Sequence, residues 1–118
     1  MPLLRTKKEV FEWLKQGKKT IDIRKGNPYR GEIAVFVAGP HVLRMKIVQR
    51  QSGRLVDLVR LDNFGLVIPS AVVLGDAFDY FRRLYGDCDG VFTAYFVVPQ
   101  SVAGVGEGLR RGLVNGRV

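Results

Sequence analysis

The order of strand-like and helix-like segments is the feature that most constrains the fold of this chain. Runs rich in Val, Ile and Phe, or alternating apolar with polar side chains, predict strands at residues 20–24, 32–37, 41–49 and 91–98. The helical patterns are inserted between these strands and do not alternate with them strictly. This order predicts an α+β fold, a small β-barrel of about five to six strands with inserted helices. It argues against a doubly wound parallel sheet.

Three helices are predicted from their caps and their apolar spacing. Thr6 and Glu9 have the pattern of a capping box in front of a first helix. Ser52 is a candidate cap for a short second helix. Residues 74–85 combine an apolar stripe with an acidic start and a basic end, and Gly86 follows as a stop signal, so a third helix is predicted there.

The length of 118 residues is enough for one domain with a buried core. We predict that residues 1–99 form the barrel and that residues 100–118, which hold five glycines between 104 and 116, form a Gly-rich C-terminal tail. No apolar run approaches the ~20 residues of a membrane span, and the N-terminus lacks the apolar stretch of a signal peptide. The sequence therefore predicts a soluble, cytoplasmic protein that does not bind membranes.

The net charge of +8 is concentrated at the N-terminus, where residues 1–30 carry nine Lys or Arg against three acids. Clustered positive charge favours polyanionic partners such as nucleic acid. A solvated, ion-paired surface explains the same charge equally well.

Metal and disulfide chemistry find little support in the composition. Cys88 is the one cysteine and His41 the one histidine of the chain. Neither an internal disulfide nor a Cys- or His-based metal site can be assembled from them. We therefore expect no metal and no cofactor.

The stretch GKKTIDIR, residues 17–24, places one carboxylate, Asp22, inside a strand-like run between cations. An acid between Ile21 and Ile23 is unfavourable in a strand and often marks a site. Lys19 and Arg24 would then meet phosphate, and Asp22 would accept a hydrogen bond from a base amino group or a sugar hydroxyl. The alternative is an internal ion pair that fixes the strand and binds nothing.

The turn that follows adds an aromatic ring between cations, a combination on which single-stranded bases stack. A tyrosine that covers the end of the barrel is the structural alternative for Tyr29. The predicted nucleic-acid-binding residues are Lys18, Lys19, Asp22, Arg24, Lys25, Tyr29 and Arg30.

The order of motifs resembles the ASCH domain, a small β-barrel family of the PUA-like superfamily. GKKTIDIR is similar to the signature of that family, and RGEIAVF, residues 30–36, is similar to the opening of its next strand. A helix ending in YG before the last strand is a weaker similarity, and the match covers residues 9–98. The resemblance implies a barrel with a cleft at the signature residues and a role in binding RNA or nucleotides. In one branch it implies an amidohydrolase that deacetylates acetylcytidine.

That branch uses a Lys, a Thr three residues later and a downstream Glu. The Lys corresponds to Lys19, but the Thr position is occupied by Asp22, and no acid is found near residues 68–71. Thr20 cannot substitute, because neighbouring strand residues point to opposite faces. We therefore expect no activity on acetylcytidine.

Two further classes of function remain open. An ASCH-type hydrolase, either a nucleoside amidohydrolase or a ribonuclease, would use Lys19 and Asp22 as an acid/base pair. A protein-interaction module, or a homodimer, would follow if the Gly-rich tail paired with the sheet edge of another chain.

Overall fold

The computed structural model describes residues 3–100, which form one sheet and its helices. The strands are β1 (Leu3–Arg5), β2 (Ile21–Lys25), β3 (Ile33–Ala38), β4 (His41–Gly53) and β5 (Phe92–Pro99). The helices are α1 (Lys8–Lys15), α2 (Leu55–Leu58), α3 (Phe64–Val67) and α4 (Leu74–Tyr85).

The five strands form a curled half-barrel in the order β1-β3-β4-β5-β2. Strand β1 pairs with β3 in parallel, and every other neighbouring pair is antiparallel. The two edges of the sheet are therefore β1 and β2, which are also the first two strands in the chain. The curl of the sheet brings these edges within reach of each other's side chains, as the site described below shows.

Alternation along the strands gives the sheet two apolar faces. In β5, Ala94 packs into a core with Ile21, Ile23 and helices α2 to α4. Its neighbour Tyr95 packs into a second core on the opposite face, with α1, β1 and the inner residues of β3 and β4. Asp22 lies directly opposite Tyr95 in the β2–β5 register, so it shares the face of the second core.

The predicted strands are confirmed, with shifts of one to four residues at their ends, and α4 has the predicted bounds. The two predicted caps are wrong. Helix α1 starts at Lys8 with no side-chain cap, and the Thr6 hydroxyl donates to the Leu4 carbonyl (2.8 Å). Ser52 belongs to β4, where its hydroxyl pairs with that of Thr93 (2.9 Å). The N-cap positions are instead Lys7 for α1 and Arg54 for α2, and neither side chain accepts a hydrogen bond from its helix.

Strand β1 was not predicted, because three residues, one of them buried, carry no readable alternation. Strand β5 ends at Pro99, and the predicted tail, apart from Gln100, lies outside the described residues. The longest helix between residues 3 and 100 has 12 residues, and none of the helices there could cross a membrane.

Candidate functional site

An open cleft of about 170 Å³ lies in the seam between the two edges of the sheet. One wall comes from the β1–α1 junction, with Arg5, Thr6, Lys7 and Val10. The other wall comes from the signature stretch, the end of α3 and the inner face of α4, with Lys19, Asp22, Ile23, Arg24, Ile68, Tyr80, Phe81, Leu84 and Tyr85. The cleft is smaller than the roughly 300–1,000 Å³ of pockets that hold drug-sized ligands. The cleft therefore has room for one small chemical group and not for an extended polymer.

Arg24 bridges the seam. Its Nε donates to Asp22 Oδ2 (2.7 Å), its Nη1 to the Arg5 carbonyl (2.7 Å) and its Nη2 to the Thr6 hydroxyl (3.3 Å). Asp22 and Arg24 are two residues apart on one strand, so both side chains leave β2 on the face toward β1. The pair thus ties one sheet edge to the chain at the end of the other.

Lys19 is buried at the inner end of the cleft, with a side chain only 3% exposed. Its Nζ donates to the carbonyls of Ile21 (2.8 Å) and Val67, and it lies 3.9 Å from Asp22 Oδ1. Burial lowers the pKa of Lys19 from 10.5 to about 8; the Asp22 carboxylate opposes this shift, and the Arg24 guanidinium adds to it. The ammonium is therefore close to losing its proton at neutral to mildly alkaline pH.

The aromatic part of the cleft comes from α4. The Tyr80 hydroxyl donates to Glu9 Oε2 (3.2 Å), and the Lys7 ammonium lies 5.7 Å from the centre of the Tyr80 ring. Burial first, and then the Glu9 carboxylate, raise the pKa of Tyr80 to about 12. Burial also raises the pKa of Tyr85. Both phenols are protonated donors at neutral pH.

The cleft is electropositive, because its lining includes four cations and one carboxylate. Helix α1 begins beside Lys7 with no side-chain cap, so the positive end of its dipole adds to the field. Apolar side chains, among them Ile23, Ile68 and Phe81, form the remaining surface. A planar anionic ligand suits this lining, which combines positive charge with apolar surface. Within the described residues, no cluster of three His, Cys, Asp or Glu side chains could hold a metal ion.

The structure brings three of the seven predicted site residues together, namely Lys19, Asp22 and Arg24. Lys25 leaves β2 on the other face and donates to the Asp87 carbonyl (2.7 Å). The Tyr29 ring stacks on Tyr95 (6.1 Å between centroids, 16° between planes). Lys18 and Arg30 are exposed and do not line the cleft. The turn after β2 therefore packs on β5 through Tyr29 and does not line this cleft.

Among the charged and phenolic residues that line the cleft, four were not predicted from the sequence as site residues: Arg5, Lys7, Tyr80 and Tyr85. A partial signal existed for each pair. Arg5 and Lys7 belong to the basic N-terminal quarter; Tyr85 continues the apolar stripe of the α4 helix, and Tyr80 lies outside that stripe. Neither signal indicates which elements meet across the seam.

Comparisons with solved structures identify the fold. The hypothetical protein PH0355 superposes with a TM-score of 0.70 at 15% identity, over 83% of this chain and 97% of that one. ASCH from Zymomonas mobilis superposes with a TM-score of 0.58 at 18% identity, over 81% of this chain. A tyrosine-to-phenylalanine mutant of that protein gives 0.59 at 17% identity, over 80% of this chain.

These likenesses confirm the predicted α+β fold of the ASCH type. This chain spans 65% and 66% of the two Zymomonas chains, just under two thirds of their length. No protein-family profile matches the sequence, and no curated protein does. At identities below 25%, the likeness concerns the fold alone.

Proposed function

We propose that this chain, which has the fold of an ASCH domain, binds single-stranded or loop RNA, or a nucleotide, in the seam cleft. The observation that carries the proposal is the set of buried Lys19 and Asp22 with partly buried Arg24, in a cleft that also holds two phenols and an apolar wall. Cations attract the phosphate backbone, and rings and apolar side chains accept unstacked bases. Duplex RNA hides its base edges in a deep, narrow groove, so a small cleft favours single strands.

The four predicted residues outside the cleft keep a role in this proposal as a second line of contacts. Lys18, Lys25 and Arg30 are exposed cations, and Tyr29 is half exposed. A single-stranded RNA with one nucleotide in the cleft would pass over part of this surface. Their contribution would be to affinity for longer RNA and not to recognition of the unit in the cleft.

Binding to short RNAs should weaken with salt in proportion to the phosphates contacted. With three or four contacts, the slope of log K against log salt should be about −2 to −3, at roughly −0.7 per phosphate of a single strand. Lys25→Ala or Arg30→Ala should flatten the slope by a little under one, whereas Asp22→Asn should alter base preference and leave the slope nearly unchanged. Fluorescence anisotropy across a salt series measures both quantities.

The matched control is Lys46→Ala, which removes one exposed charge on β4, away from the cleft. It should leave binding and slope close to those of the wild type. Absence of binding at low salt, or binding that is indifferent to both Lys19→Ala and Arg24→Ala, would refute the cleft as an RNA site.

A hydrolase is the second candidate, and Lys19 is the observation that favours it. A neutral lysine amine has two N–H groups and one lone pair; here two carbonyls accept from Nζ, which leaves the lone pair to accept a proton. With its pKa near 8, Lys19 could accept a proton from water or from a ribose hydroxyl, with Asp22 stabilising the ammonium that results.

Acetylcytidine should not be a substrate of this cleft. Asp22 stands where the amidohydrolase branch has its Thr, and the aliphatic hydroxyl among the described lining residues, Thr6, donates its proton to the Leu4 carbonyl. A backbone carbonyl is too weak a base to take that proton, so it does not activate the hydroxyl as a nucleophile. Purified protein should release no acetate from acetylcytidine in a coupled assay. Turnover that is lost in Lys19→Ala and kept in Asp22→Asn would contradict this expectation.

A further inference from the structure

The two ends of the seam cleft differ in charge and in contact with water. The inner end holds Lys19 and Asp22, each 3% exposed. The mouth holds Arg5 and Lys7, both exposed, and neither forms an ion pair with another of residues 3–100. A ligand with one planar end and one anionic end would therefore bind in one orientation.

A phosphate is disfavoured at the inner end. It would lie beside the Asp22 carboxylate and would lose water, while Lys19 and Arg24 already direct donors at Asp22 and at backbone carbonyls. Burying a second anion next to the first is costly unless new cations compensate for it. At the mouth, by contrast, two unpaired cations remain in contact with water, which is the setting in which phosphate contacts form.

The inner end suits the edge of a base. Asp22 Oδ2 accepts from Arg24, but Oδ1 lies 3.9 Å from Lys19 Nζ, beyond hydrogen-bond distance, and so can accept from an amino or ring N–H group. Ile23, Ile68 and Phe81 supply apolar contact for the ring. The cleft volume of about 170 Å³ limits the ligand to one unit.

We propose that the cleft takes a single nucleotide unit with its base inward at Asp22 and its phosphate at the mouth between Arg5 and Lys7. The proposal rests on the nucleotide-binding function proposed above and assigns Arg5 and Lys7 as phosphate contacts. Tyr80 holds the Lys7 ammonium near the mouth, 5.7 Å from its ring centre.

Arg24 is a positioning residue in this arrangement. Three of its five N–H groups are engaged, by Asp22, the Arg5 carbonyl and Thr6. Its bond to the Arg5 backbone fixes the junction that carries both mouth cations, and it leaves the Arg5 side chain available to a ligand.

The test measures how much a phosphate group adds to affinity. Chemical-shift titrations, which reach millimolar dissociation constants, are run at low salt and neutral pH with the four nucleoside 5′-monophosphates and the four nucleosides. The wild type should bind the monophosphates more tightly. Arg5→Ala/Lys7→Ala should lower the ratio of the two affinities by about tenfold, the loss expected from removing two charge-assisted contacts at an exposed site.

Two further variants separate this orientation from its reverse. Lys8→Ala/Lys15→Ala removes two exposed charges from helix α1, outside the cleft, and should leave the ratio unchanged. Lys19→Met, which keeps the volume of the buried side chain, should weaken nucleosides and monophosphates alike. A ratio that survives in Arg5→Ala/Lys7→Ala and collapses in Lys19→Met would overturn the inference, because the phosphate would then lie at the inner end.

Failure of the inference and failure of the proposed function give different results. If the wild type binds short RNAs but none of the monophosphates, the single-nucleotide inference is wrong and RNA binding stands. If it binds neither, both proposals are wrong. Since Arg5 and Lys7 are exposed, both mouth substitutions should leave the fold intact, which a circular dichroism melt verifies.

Discussion

Asp22→Ala should lower the free energy of unfolding at pH 7 by about 3 kcal/mol, the lower end of the range for removing one partner of a buried ion pair. The Asp22 side chain is 5% exposed and accepts from Arg24 at 2.7 Å, with Lys19 at 3.9 Å. Its loss leaves two cations facing each other in a seam that admits little water. Urea unfolding curves, read by circular dichroism, measure the change.

Asp62→Ala provides the matched control. Asp62 also pairs with an Arg two residues away, but the side chains of Arg60 and Asp62 are 46% and 76% exposed. Exposed pairs contribute at most about 1 kcal/mol, so this variant should stay close to the wild type. If both variants lose the same free energy of unfolding, the Asp22–Arg24 pair does not stabilise the seam more than an exposed ion pair would.

Lys19 should make the protein more stable as the pH rises from about 8 to about 10.5. Its pKa is about 8 in the folded protein and 10.5 as its ordinary value, so the unfolded chain binds more protons in that window. Stability rises with pH wherever the unfolded state holds more protons. At about 1.4 kcal/mol for each pH unit between the two values, the gain across the window is on the order of 3 kcal/mol.

The difference in unfolding free energy between the wild type and Lys19→Met isolates this gain. Tyr80, Tyr85 and Tyr95 have raised pKa values in the folded protein. Above about pH 10 the unfolded chain therefore loses these protons first, and the protein becomes less stable. The tyrosines are present in both proteins and cancel in the difference. The difference should be constant below pH 7 and rise in favour of the wild type above pH 8. A difference that stays flat or falls above pH 8 would show that burial of the Lys19 ammonium does not destabilise the folded protein.

The positions of strands β2 to β5 and the extent of α4 could be predicted, because each is specified by local physics. The alternation of Leu43, Met45 and Ile47 requires a strand with one buried face, and the stop at Gly86 follows from a left-handed backbone angle (φ 73°) that favours glycine. Asp22 could also be singled out from the sequence, because a carboxylate inside a strand needs a polar or charged partner wherever that strand lies in the fold.

The tertiary structure alone decided which residues face Asp22. Arg24 could be expected beside it from strand periodicity. The two groups that accept from Arg24 on the other side, the Arg5 carbonyl in β1 and the Thr6 hydroxyl just after it, belong to an edge too short to show a pattern. Thr6 resembles a helix cap in sequence, yet its hydroxyl donates to Leu4. Lys19 and Lys25 look alike in sequence, yet Lys19 is buried just before β2, where its Nζ donates to the Ile21 and Val67 carbonyls, while Lys25 is exposed at the end of β2. Contacts across the seam depend on how strongly the sheet curls. The packing of both cores together determines that curl, so no single stretch of sequence encodes it.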